Sequence, residues 1–209
     1  MIFLLSPASC NGRRAEIIMS ERASFELARR LRAPTGAPLG DVFTFLSGLY
    51  FRGKLAYARA FAAVPLTARA SAGNGIFVIT PNTGLQPPEA RVDLGALRRF
   101  AGVDISADNP AYRRPLERSA KTLAADLGPE CPIVLLGSIA SSKYVEVLEA
   151  ISGDRLLFPQ EFVGRGDMSR GGLMLRCAAS GQPMTYLPIA GAVRRGVRPP
   201  KLDPATRVR

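Results

Sequence analysis

The chain contains no histidine at all in 209 residues. That absence removes Ser–His and Cys–His dyads, the usual imidazole general base and most transition-metal sites. Any proton transfer must then fall to Asp, Glu, Lys, Tyr, Cys or water. Cysteine is scarce as well. Cys10, Cys131 and Cys177 are odd in number and lack CxxC spacing, which argues against zinc, and no cofactor is expected. No apolar run reaches the roughly 18–20 residues that a bilayer-spanning helix needs, so no membrane partner is expected. The opening Met1–Cys10 has the outline of a lipoprotein signal but no basic start, a very short apolar run and Pro7 before the small residues. A buried first strand and a cytoplasmic location are the better reading.

Hydrophobic residues make up 47% of the chain, which excludes disorder as a whole-chain description and suits one well-cored domain of this length. The formal charge is +11, which favours polyanionic partners such as nucleic acids or phosphorylated ligands. Six basic residues and one acid fall between Arg194 and Arg209, so +5 of the +11 sits in that segment. The expected organisation is a single domain over 1–193 and a basic, Pro-rich, flexible tail over 194–209 that packs little.

Four short apolar runs read as buried strands: residues 2–5, 75–80, 133–137 and 155–158, with a last strand near 184–187. Amphipathic helices are expected over 14–32, from the segment 41–54 through about 63, over 93–101 after Asp93, over 112–127 after Asn109 and Pro110, and over 141–151. Residues 160–172 read as a polar loop. Strands alternating with helices predict an α/β fold, a three-layer domain with a mainly parallel sheet flanked by helices.

Ligands of open parallel sheets bind outside the carboxyl ends of the strands, so the residues just after each run propose a site. These are Ser6, Cys10, Asn11, Arg13 and Arg14 after the first, Asn82 after the second, Gly137 and Ser138 after the third, and Gly164–Gly172 after the fourth. The last segment holds four glycines, Arg165, Arg170, Asp167 and Ser169 in nine residues. Glycines such as Gly164 and Gly166 let backbone N–H groups approach a ligand, and arginines offer forked donors to phosphate or carboxylate. Asp167 is the candidate catalytic carboxylate. Its spacing is neither a phosphate-binding P-loop nor a dinucleotide fingerprint. Tyr50, Arg52 and Lys54 combine an aromatic with cations, a pattern that stacks on bases and holds phosphate, or equally a helix core with a solvated face. Cys10 has Arg13 and Arg14 nearby, which would lower its pKa, although a small buried structural role is the commoner fate of such a residue.

The opening Leu5-Ser-Pro-Ala8 resembles the start of the peroxide-stress YaaA-type proteins. Ser9-Cys10, Leu49-Tyr-Phe-Arg52 with Ala56-Tyr-Ala58, and Val78-Ile-Thr-Pro-Asn-Thr-Gly-Leu85 are similar to a group of bacterial domains of unknown function. The resemblance covers roughly the first 90 residues and implies the α/β fold of the uracil-DNA-glycosylase superfamily, with a site facing a nucleobase or nucleic acid. The chain departs from true uracil glycosylases: their water-activating motif is not visible, and the histidine of their second motif is absent.

The leading expectation is a nucleic-acid- or nucleobase-binding protein, acting on a glycosidic bond or modifying a base without histidine. The alternatives are a small-molecule enzyme on an anionic or nucleotide substrate, using Arg165, Asp167 and Arg170, and a non-catalytic accessory protein. Deleting residues 194–209 separates tail from domain. Affinity for single-stranded DNA, measured across salt, should fall yet persist, whereas its complete loss would place all polyanion contact in the tail.

Overall fold

The computed structural model describes residues 1–140, 142–200 and 202. In chain order the elements are β1 (Ile2–Leu5), α1 (Arg13–Met19), α2 (Glu26–Arg32), β2 (Ala37–Pro38), α3 (Leu39–Ser47), α4 (Leu49–Phe61), β3 (Ile76–Ile79) and β4 (Leu85–Gln86). They continue with β5 (Arg91–Val92), α5 (Leu94–Ala101), α6 (Pro110–Leu127), β6 (Ile133–Leu136), α7 (Ser142–Ser152), β7 (Leu156–Pro159), α8 (Asp167–Ser180) and β8 (Tyr186–Pro188).

Six strands form one sheet in the order β4-β3-β1-β6-β7-β8. The inner four run parallel, and β4 and β8 close the two edges antiparallel. The central strand β1 pairs Leu5 with Val78 on one side and with Leu136 on the other. Because successive side chains alternate across a strand, each apolar run feeds two cores at once. Phe3, Leu5, Val78, Val134 and Leu136 join residues of α1 to α5 and α8 on one face. Ile2, Leu4, Ile79, Ile133 and Leu135 meet α6 and α7 on the other. The fold is therefore α/β, with a mostly parallel sheet flanked by helices.

Helix starts follow the sequence signals. The Asp93 side chain accepts the N–H of Ala96 at 2.6 Å, and Asn109 accepts that of Ala111 at 3.1 Å with Pro110 in the first helical position. Two expected helices are interrupted. The 14–32 helix is two, α1 and α2, joined by a turn whose Ser20 and Ala23 carbonyls accept hydrogen bonds from Arg32. The next helical stretch breaks at Gly48, whose φ of +64° no branched residue adopts cheaply. Ser141, the expected first residue of a later helix, lies outside the described residues; Ser142 begins α7.

The largest departure concerns residues 160–172. Instead of one long loop, α8 begins at Asp167, so Ser169, Arg170, Gly171 and Gly172 are helical. Propensity disfavours glycine in a helix, and close packing overrides it here. A Cβ on Gly53 would lie 2.6 Å from the Gly171 carbonyl oxygen, and one on Gly171 would lie 2.7 Å from that of Leu49. Backbone meets backbone between α4 and α8.

The segment after Val193 makes several contacts within its described part. Arg194 pairs with Glu149 at 3.2 Å, the Val197 carbonyl packs over Gly164, and Arg165 donates to the Pro200 carbonyl at 3.4 Å. Residues 201 and 203–209 of the expected tail lie outside the described residues. No helix among the described residues is long and apolar enough to cross a membrane.

The α4–α8 contact leaves no room for a methyl group. Gly171→Ala should lower stability by about 1–3 kcal/mol, the usual cost of overpacking, seen as a lower urea midpoint at unchanged slope. A stability equal to the parent protein's would mean that the helices can separate freely.

Candidate functional site

In the sheet order β3-β1-β6-β7, the chain leaving β1 crosses towards β3 and the chain leaving β6 crosses towards β7. The first connection packs on the Phe3/Leu5 face and the second on the Ile2/Leu4 face. The loops after β1 and β6 therefore diverge and open a crevice between them, the place where ligands of such sheets bind. A cleft of about 740 Å³ occupies this position. Its floor and one wall are Ser6 to Asn11; Ser138, Lys143 and Tyr144 come from the β6 side. Leu46, Ser47 and Tyr50 come from α3 and α4, Phe100 to Ile105 from the end of α5 and its following loop, and Asp167 from the first turn of α8.

Of the sequence candidates, Ser6, Cys10, Asn11, Tyr50, Ser138 and Asp167 thus line one cleft. Gly137 belongs to its construction rather than its surface. A Cβ there would come 2.9 Å from the Tyr144 hydroxyl, 2.8 Å from Ser6 Cβ and 3.1 Å from Ser6 Oγ. Only glycine lets these two hydroxyl-bearing residues approach one another.

Lys54 is placed quite differently from a phosphate-holding cation on a solvated face. It is 1% exposed, and its Nζ donates to Ser6 Oγ at 2.6 Å and to the Ser6 carbonyl at 3.0 Å. The Tyr50 ring, one turn earlier on α4, lies 3.9 Å from the nitrogen. A buried ammonium loses its hydration, which the two oxygens and one aromatic face replace only in part. Burial accordingly lowers the Lys54 pKa to about 7, Asp167 pulls it back upwards, and Arg170 pushes it down. Burial raises Tyr144 above the ordinary phenol range, against the opposing pull of the Ser6 hydroxyl; its own hydroxyl donates to the Ser138 carbonyl at 2.9 Å.

Cys10 takes the small, buried role that is the commoner expectation for it, not the activated one. Its thiol is buried and points at the Ala8 carbonyl, 3.6 Å away, and burial pushes its pKa up to about 12. The neighbouring arginines do not activate it. Arg14 reaches away to donate to the Phe45 carbonyl at 3.1 Å, beside Gly48, and Arg13 is exposed at the start of α1.

The remaining candidates are dispersed. Asn82 donates to the Arg99 carbonyl at 3.2 Å and lines separate depressions beside β4. Arg52 projects from the exposed side of α4. Arg165, Gly166 and Ser169 line a shallow pocket of about 360 Å³ with residues 198–200, and Gly164 sits beneath Val197. Arg170 is mostly buried: it donates twice to the Phe162 carbonyl, at 3.2 and 3.0 Å, stacks on the Phe162 ring and lies 3.6 Å from Asp167. Its donors are largely spent on the fold. Asp104, Lys143, Tyr144 and the apolar stretch around Phe100 were missed as cleft residues. Nothing in their local pattern marks them, because only the tertiary crossing brings α5 and α7 to the end of β1.

Among the described residues no group of three His, Cys, Asp or Glu side chains is placed to hold a metal ion. No family model, curated protein or solved structure matches the chain.

Lys54 makes stability depend on pH. Between about 7 and 10.5 the unfolded chain holds a proton on this amine that the folded protein lacks, so stability rises with pH through that window. The buried thiol of Cys10 opposes this only above about pH 9, where its unfolded form ionises. From pH 7 to 9, denaturant midpoints should show a Lys54 contribution rising by up to about 1.4 kcal/mol per pH unit, absent from Lys54→Met. Parallel curves for the two proteins would show that Lys54 stays charged.

Proposed function

We propose that the protein binds a nucleobase-bearing anion, a nucleotide or one unit of an exposed nucleic-acid strand, in the cleft between the loops after β1 and β6. The observation that carries this reading is the cleft's position at the divergence of those loops combined with its size and lining. A volume of about 740 Å³ falls in the range of small-molecule sites and admits a nucleotide. Ser9, Asn11, Ser138 and Asp167 supply hydrogen-bonding groups for a base edge or sugar, beside the largely buried rings of Tyr50 and Phe100. Lys143 on the lining provides positive charge, and Arg13 is exposed two residues beyond Asn11. The +11 net charge and the resemblance of the first 90 residues to nucleobase-facing domains point the same way. Asp167 and Asp104 are the carboxylates lining the cleft, and a water-activating role at a glycosidic bond would fall to one of them.

Calorimetric titration with the four ribonucleoside monophosphates, alongside salt-dependent binding to single- and double-stranded oligonucleotides, tests the proposal. Saturable binding is expected, with Asn11→Ala and Lys143→Ala each weakening it about tenfold, the loss typical of one hydrogen bond to a charged group. No saturable binding of any of these at low salt would overturn it.

A further inference from the structure

We propose that Ser6 and Lys54 form a catalytic pair, in which the serine hydroxyl attacks the carbonyl carbon of an ester or amide held in the cleft and the lysine amine takes the hydroxyl proton. The inference shares the cleft with the reading above but does not depend on the ligand's base.

Three observations carry it. The first is placement. Ser6 lines the cleft at the carboxyl end of the central strand, while Lys54 stands behind it, buried and off the lining. Ser6 is itself only 5% exposed, so the hydroxyl meets the ligand at the cleft floor while its base beneath is shielded from water. The second is contact. The Nζ–Oγ distance of 2.6 Å is a direct hydrogen bond, and the second bond to the Ser6 carbonyl anchors the amine when it gives up a proton. A neutral amine keeps an N–H for the carbonyl and turns its lone pair to the Oγ–H. The third is surroundings. Burial lowers the affinity of this amine for a proton, as a base working near neutral pH requires. The backbone N–H groups of Ala8, Ser9, Cys10 and Asn11 make no hydrogen bond within the described residues, leaving donors beside Ser6 for a developing oxyanion. Tyr144, crowded against Ser6 over Gly137, adds a hydroxyl to the same corner.

The chemistry balances without a cofactor. The Oγ–H proton passes to Lys54 Nζ as the Oγ–C bond forms, and the carbonyl electron pair moves onto oxygen. Its return breaks the bond to the leaving alcohol or amine, which departs with the proton from Lys54. Water, deprotonated by the same amine, then attacks the acyl carbon, the Oγ–C bond breaks, and the ammonium returns its proton to Ser6 Oγ as the free acid leaves. The groups facing the pair are Tyr50 from α4, Tyr144 from α7, and Asp167 and Arg170 from α8. Of these Asp167 favours the charged amine and Arg170 disfavours it.

The test is reaction of the full chain with a fluorophosphonate probe, followed by mass spectrometry, together with 4-nitrophenyl acetate hydrolysis. A single adduct on Ser6 is expected, formed as the Oγ–P bond replaces P–F and fluoride leaves. Its rate should rise with pH through about 7 and level off above. Ser6→Ala should abolish both reactions, and Lys54→Met should slow them at least about 100-fold. Should Lys54→Met fail to fold, the pH profile of the parent protein and the Ser6→Ala result decide. An adduct elsewhere, no adduct on the folded protein, or a Ser6 rate flat from pH 6 to 9 would overturn the pair. The probe carries no nucleobase. Ser6 labelling without nucleotide binding removes only the earlier reading, and nucleotide binding without labelling removes only this one.

Discussion

A lysine with no access to water sits against the end of the strand on which the whole sheet is centred. Lys54 reaches from α4 to the last hydrogen-bonding groups of the β1 end, the carbonyl and hydroxyl of Ser6. An unpartnered ammonium at this depth would be prohibitive, so helix and strand are held in one relative position or the charge is given up. Both responses shape the molecule. The hydrogen bonds fix α4 over β1, and burial lowers the proton affinity of an amine that lies directly behind the cleft.

The fixed position of α4 propagates through glycine. Gly53, next to Lys54, and Gly171 permit backbone contact between α4 and α8. That contact carries the first turn of α8 to the cleft, with Asp167 on the lining and Arg170 behind it. Charge near Lys54 is therefore set by a packing decision made at residues that carry no side chain. On the opposite side of Ser6, Gly137 does the equivalent work for Tyr144. α4 and α7 converge on Ser6, α8 brings Asp167 to the same cleft, and the approaches of α7 and α8 pass over a glycine.

Much of the fold was legible because short, fully apolar runs separated by amphipathic segments have few other solutions. The four inner strands fall where Ile2–Leu5, Ile76–Ile79, Ile133–Leu136 and Leu156–Pro159 place them. The first-strand loop, Ser138 and Asp167 follow from reading strand ends and Tyr50 from its pattern of aromatic and cations, and all of them line the cleft. The 160–172 segment misled because glycine density normally signals a loop, and only the neighbouring helix reveals that here it serves close approach. Lys54 misled for a related reason. A lysine between Arg52 and Leu55 reads as solvated, and its burial depends on the rotation of α4 against β1, which no local pattern encodes. Cys10 shows the same limit in electrostatics: arginines adjacent in sequence turned outwards and left the thiol to burial.

The register of β1 also has a consequence for how the protein is made. Its partners lie at residues 76–78 and 133–136, so β1 remains unpaired on its second side until well over a hundred further residues have followed. Pairings this distant in sequence are slow to close, and an apolar strand waiting for them is exposed to the wrong partners. Ile2–Leu5 is thus the segment that nascent-chain helpers would have most reason to hold.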